Sequence, residues 1–214
     1  MNSNQNTALL PLYYLPNIAY LSAIAYYLGI YIEQFENYQK RSFRNRCFIG
    51  TSQGRLQLSI PLQSGKNEQQ AIKLVKIDNQ QFWQRQHWRS IVTAYSSAPF
   101  WEHYADGLAP FFERKYIFLW DWNLDLLNWL LQKLKINKSL YFTNEYIVTN
   151  AAEVVDFRPL INIQPVDNQQ DINFNCETYP QLFTDRQGFL ANLSGLDALF
   201  CMGNLTVDYL KSCR

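Results

Sequence analysis

Histidine is scarce in this chain, and the scarcity narrows its chemistry: of 214 residues, only His87 and His103 carry an imidazole. The four cysteines, Cys47, Cys176, Cys201 and Cys213, are scattered, without the close pairs that zinc sites use. We therefore expect no metal, no bound cofactor and no disulfide framework, and a reducing cytoplasm as the compartment. No Walker or dinucleotide fingerprint is present, which argues against an ordinary glycine-rich nucleotide cradle. Charge of one sign is also missing: 19 Lys and Arg balance 18 Asp and Glu, giving a net charge of +1 and no global pull toward nucleic acid or anionic lipid. An uninterrupted hydrophobic run is lacking too. The apolar stretch from Leu9 to Ile32 is broken by Pro11, Pro16 and Asn17 and has no basic segment before it, which argues against a membrane span or signal peptide.

What the chain has is apolar bulk. Hydrophobic residues make up 48% and aromatics 16%, enough for one sizeable core, and we expect a single domain over residues 8–210 preceded by a flexible terminus. The pattern predicts an α/β fold with a mixed sheet that opens with a βαβ unit and a β-hairpin, followed by several packed helices. Ala8–Leu15 reads as the first strand, a helix from Ile18 to about Gly29 follows, and Ile30–Phe35 is the second strand. Cys47–Leu62 alternates around the turn at residues 51–54 and reads as the hairpin. Gln63–Gln70 is a mobile polar loop, and Ile72–Ile77 a further strand. Phe82–Ser97 reads as a helix, Phe100–Tyr104 and Pro110–Lys115 as two shorter helical pieces, and Leu119–Leu134 as a leucine-striped helix with Asp121 as N-cap. Leu140–Val148 is a strand candidate, Asn150–Glu177 reads as loop, and helices close the chain at Phe189–Phe200 and Val207–Leu210.

Local charge stands out only at Asn37–Arg46, where Lys40, Arg41, Arg44 and Arg46 fall within ten residues. In an open parallel sheet, ligands bind beyond the carboxyl ends of the strands, and the second strand delivers this stretch to that edge. Two readings stand: an anion site built of guanidinium forks, or charges guarding a strand edge. Glu33 and Glu36 would position an amine or neutralise the cations. His87 is the candidate general base, set against a core histidine on an apolar helix face. Cys47, Ser96 and Ser97 are candidate nucleophiles or donors, each with an ordinary structural alternative.

Three blocks resemble the WbqC-like protein family, notably the branch typical of Bacteroidetes: residues 36–47 (Glu-Asn-Tyr-Gln-Lys-Arg-Ser-Phe-Arg-Asn-Arg-Cys), residues 83–89 (Trp-Gln-Arg-Gln-His-Trp-Arg) with 94–100 (Ala-Tyr-Ser-Ser-Ala-Pro-Phe), and residues 192–200. The resemblance runs from about Leu9 to Leu210. It implies an acyl or aminoacyl transferase acting on a nucleotide-linked amino sugar in bacterial surface-polysaccharide biosynthesis. It also implies site residues: His87 as catalytic base, and Lys40, Arg41, Arg44, Asn45, Arg46, Arg89, Tyr95 and Ser97 in substrate binding. Wider members open with His-Gln-Pro where this chain has Leu9-Leu10-Pro11, so a catalytic histidine there would be missing. The expected partner is a small molecule, a nucleotide sugar or acyl donor, with no nucleic acid and with room for a homo-oligomer. A binding or scaffold protein for sugar nucleotides, without chemistry, is the alternative.

Overall fold

The structure is a computed structural model that describes residues 6–63, 70–148, 154–161 and 175–213. The expected frayed start at residues 1–5 and mobile loop at 64–69 lie outside the described residues, as does much of the segment 150–177. The α/β class expected from the sequence is observed. Strand β1 (Thr7–Leu10) leads into helix α1 (Ile18–Tyr26) and then parallel strand β2 (Gly29–Ile32), with Ala8 opposite Ile30. Asn17 starts the helix by accepting the Tyr20 amide at 3.0 Å, satisfying one of the free N–H groups of the first turn. Strand β3 (Arg46–Thr51) and strand β4 (Gly54–Ser59) form the expected antiparallel hairpin, turning at Gly54, whose φ of +101° suits glycine.

Parallel and antiparallel strands are segregated into two sheets. Strand β5 (Leu140–Phe142) adds outside β2, and strand β6 (Val154–Asp156) pairs with the other side of β1, so the order β5-β2-β1-β6 is parallel throughout. The chain leaves β1 toward β2 and returns to β6 on the opposite side, which makes the carboxyl ends of β1 and β6 the topological switch point where open sheets bind ligands.

The helical layer follows the apolar periodicity. Helix α2 (Trp83–Tyr95) buries Trp83, His87, Ile91, Ala94 and Tyr95. Helix α3 (Trp101–Glu113) corrects the expected pair of pieces: Pro110 forgoes one backbone bond in the last turn, and burial of Tyr104, Ala105, Leu108 and Phe112 keeps the helix whole. Helix α4 (Leu119–Lys133) is preceded by Phe118 rather than by the expected cap Asp121, which lies in the first turn where the helix dipole favours an acid. Ile72–Leu74 is a short 3-10 helix, not a strand, because Ile72 and Val75 are buried at a spacing of three while Leu74 is exposed.

After helix α5 (Thr184–Gln187), Ser194 caps helix α6 (Gly195–Met202), and helix α7 (Thr206–Ser212) ends the fold. Gly195 is fixed by a close approach, since a Cβ there would meet Leu21 Cδ1 at 2.2 Å. Strand β6 lies in the segment read as loop, too short and too polar around its ends to register as a period. Sheet, hairpin and helices share one hydrophobic core cluster that runs from Ala8 to Cys213. No helix among the described residues is long and apolar enough to cross a membrane.

Cysteine usage requires a second correction. Cys176 and Cys213 form a disulfide, closing a loop over a separation of 37 residues, whereas Cys47 and Cys201 are buried free thiols. Only the fold brings the pair together, so spacing alone does not announce it. Unreduced, denatured protein is expected to titrate two thiols and reduced protein four; four in both states, on freshly purified material, would remove the bond.

Candidate functional site at the carboxyl edge of the parallel sheet

One buried carboxylate ties three strand ends together. Glu33 follows β2 directly and is fully buried. Its Oε1 accepts from the Phe35 amide and the Thr143 hydroxyl, both at 2.9 Å. Its Oε2 accepts from the Ile147 amide at 3.2 Å and from Arg158 Nη1 at 3.1 Å. Arg158, two residues past β6, also forks onto Asp156, with Nε 2.9 Å from Oδ1 and Nη2 2.7 Å from Oδ2. The Tyr146 ring, half exposed, lies 4.7 Å from the same guanidinium, within cation–π range. The chain segments after β2, β5 and β6 are thus fastened at one point.

A second buried pair belongs to the connection between β2 and β3. Arg44 is fully buried and holds both oxygens of Glu36, Nε on Oε1 at 2.8 Å and Nη2 on Oε2. Burial pushes the Glu36 carboxyl up, against the pull of the Arg44 guanidinium. Tyr13 and Tyr20 stack beside this pair with ring centroids 4.7 Å apart, and burial raises both hydroxyls. Arg44 Nη1 and the Tyr20 hydroxyl are buried with no hydrogen-bond partner among the described residues. Three carboxylates, Glu33, Glu36 and Asp156, therefore meet two guanidiniums, Arg44 and Arg158.

The basic stretch divides on folding. Lys40 and Arg41 are exposed, with Arg41 in the left-handed region at φ 54°. Arg44 is neutralised by Glu36, and Arg46 opens β3 with its Nε buried and unpartnered among the described residues. Asn45 is structural: it accepts from the Tyr38 hydroxyl at 3.0 Å and donates to the Ile60 carbonyl at 2.9 Å.

His87 packs against Trp83 and Tyr14 in the aromatic core. Burial lowers its pKa to about 4, opposed by a ring N–H bond to the Ser59 backbone, so the ring is neutral near pH 7. Nδ1 is then the acceptor for the Tyr14 hydroxyl at 2.9 Å, and both ring nitrogens are engaged. Expected as a general base, His87 has no free lone pair in this arrangement. It instead braces Tyr14, whose amide donates to the Phe43 carbonyl beside Arg44.

Tyr95 donates to Asp197 Oδ2 at 2.9 Å and accepts from the Gly50 amide at 3.0 Å, while Tyr179 holds Asp197 Oδ1 at 2.6 Å. That satisfied cluster joins the hairpin to α2 and α6. Ser97 is exposed beyond the end of α2, and Arg89 is exposed on α2 facing the hairpin turn. Burial pushes the Cys47 thiol well up, away from thiolate chemistry. The structure adds Tyr146, Asp156 and Arg158, which sequence reasoning passed over. Their signal was the Asp-Phe-Arg run directly after Val154-Val155: charged residues closing a short β-branched run.

The model of the WbqC-like protein family matches residues 12–166, well over half of the chain. The chain belongs to this family. The matched span contains every residue of the carboxyl-edge networks from Tyr13 to Arg158, whereas Asp197, Tyr179 and the disulfide lie beyond it. The chain is also 29% identical over 225 aligned positions to the uncharacterized protein Rv1507c of Mycobacterium tuberculosis, an alignment covering 94% of this chain and 95% of that protein. No solved structure matches it significantly. For a WbqC-like protein the geometry therefore offers two connected features: a carboxyl edge fastened by the Glu33–Arg158–Asp156 network, and the half-exposed ring of Tyr146 beside it.

Proposed function

We propose that this WbqC-like protein is an acyl or aminoacyl transferase acting on a nucleotide-linked amino sugar in bacterial surface-polysaccharide assembly, with the substrate seated at the carboxyl edge of the parallel sheet. The substrate class comes from the family resemblance. The observation that supports its placement is the Glu33–Arg158–Asp156 network at the switch point, beside the half-exposed Tyr146. The amine of the sugar meets the carboxylates of this edge, and Tyr146 offers a face to a base or sugar ring. Asp156, with a side chain 19% exposed against 0% for Glu33 and 5% for Glu36, is the carboxylate the amine reaches and the group that takes its proton. Arg41, exposed on the β2–β3 connection, is available to the diphosphate. His87 acts as a positioning residue through Tyr14.

The test is calorimetric titration with a panel of nucleoside-diphosphate amino sugars, followed by mass spectrometry of the sugar after incubation with acyl donors. A nucleotide sugar is expected to bind. Loss of stacking in Tyr146→Ala, worth about 1 kcal/mol, is expected to weaken binding roughly fivefold, and Asp156→Asn to stop transfer while binding persists. No binding by the wild type, or full transfer by Asp156→Asn, would sink the reading.

One observation favours the non-catalytic alternative. The two most reactive side-chain types near the hairpin, Cys47 and His87, are sealed in the core and held in their neutral forms. Binding of a nucleotide sugar without consumption of any acyl donor would make a sugar-nucleotide-binding protein the better description.

A further inference from the structure

A hollow of about 240 Å³ lies between the hairpin turn, helix α2 and the segment before α5, and none of its lining residues belongs to the carboxyl edge. Its walls are Thr51, Ser52 and Leu56 from the hairpin, Arg89, Ser90, Thr93 and Ala94 from α2, and Phe183. The walls are braced independently of any ligand. Gln187 Nε2 donates to the Ser52 carbonyl at 2.6 Å, Thr51 Oγ1 donates to the Gly54 carbonyl at 2.8 Å, and the Tyr95–Gly50 bond fixes α2 against β3. A recess held open in this way loses little freedom when occupied.

The lining has a defined polarity. The Arg89 guanidinium and the hydroxyls of Ser52, Ser90 and Thr93 make no hydrogen bond to any described residue, while Leu56, Ala94 and Phe183 supply an apolar side. No acidic side chain is among the lining residues, so nothing there complements an ammonium group. A single guanidinium matches one negative charge, whereas a phosphate monoester carries close to two near neutral pH. The hollow, about 240 Å³ and partly open to solvent, has room for a compact ligand.

We propose that this hollow is a binding site for a small carboxylate with an apolar or aromatic body, its carboxylate on Arg89 and the α2 hydroxyls and its body against Leu56 and Phe183. The site is separate from the transferase reading and does not depend on it. Its recognition is that of a monoanion with a short hydrophobic tail.

The test is a ¹H–¹⁵N NMR titration of the full-length protein with benzoate, butyrate and inorganic phosphate. Benzoate is expected to shift the amides of Ser52, Ser90 and Phe183 along a saturable curve, with butyrate binding more weakly and phosphate more weakly still. Arg89→Met, which removes an exposed side chain with no partner among the described residues, is expected to keep the native spectrum and to weaken benzoate at least tenfold. Ser90→Val, which deletes a lining hydroxyl and adds bulk, is expected to weaken it as well. Tyr146→Ala is expected to leave benzoate binding unchanged, which separates this site from the carboxyl edge. Absence of saturable shifts, wild-type affinity in Arg89→Met, or phosphate binding as tightly as benzoate would each overturn the proposal.

Discussion

Exchanging Arg44 for methionine is expected to cost the folded state about 3–5 kcal/mol, the usual penalty for orphaning one member of a buried ion pair. Glu36 is 4% exposed and reaches both its oxygens to the Arg44 fork, so without Arg44 its carboxylate stays in the core with no counter-charge. Urea denaturation is the measurement, with the slope expected to be unchanged and the midpoint to fall. In a chain of this size each kcal/mol moves Tm by roughly 2–4 °C, so the melting temperature is expected to drop by roughly 6–20 °C. The double variant Arg44→Met/Glu36→Gln removes the orphaned charge and is expected to recover much of the loss. The competing expectation, a solvated cation on a strand edge, predicts a change within about 0.5 kcal/mol. A small effect would therefore return Arg44 to the surface role that its charged neighbours suggest.

Sequence reasoning reached the βαβ unit and the hairpin because their signals are local: Asn17 opens the helix after an apolar run whose paired part ends at Leu10, short of the expected Leu15, and polar residues alternate with Leu56, Leu58 and Ile60. It also pointed to the carboxyl edge of the parallel sheet, through the rule that parallel strands present ligands at their carboxyl ends. It could not see how that edge is wired. Glu33 and Arg158 are 125 residues apart, and their pairing exists only once β6 docks against β1. A run of four cations looks uniform in a sequence, yet Arg41 and Arg44 end in opposite environments because Arg41 turns the backbone through φ 54° and Arg44 then enters the core beside Tyr13. The disulfide shows the same limitation, since the fold sets α7 beside the segment of Cys176, where the Tyr209 hydroxyl donates to the Glu177 carbonyl, and spacing does not announce that. Periodicity located elements. Pairings between distant polar residues waited for the fold.

Acidification is expected to weaken the fold through His87, and the sign follows from its lowered pKa. In the folded state the ring is neutral down to about pH 4, whereas in the unfolded chain it takes up a proton below its ordinary value of 6.5. Between these values the unfolded state binds the extra proton. The contribution is fully present above pH 6.5 and is lost as the pH falls toward 4. At 1.36 kcal/mol per pH unit of difference, the loss amounts to about 2.5 kcal/mol by pH 4.5. Burial also pushes up the carboxyls of Glu36 and Asp197. They are common to the wild type and a His87→Gln variant, so the difference between the two proteins isolates the imidazole. That stability difference is expected to be flat from pH 7 to 8 and to shrink by about 2.5 kcal/mol at pH 4.5, measured by urea denaturation at each pH. A difference that stays constant with pH would mean that His87 titrates alike in both states. The ring would then be reachable by solvent, and the general-base role it lacks in the sealed arrangement would become chemically available to it.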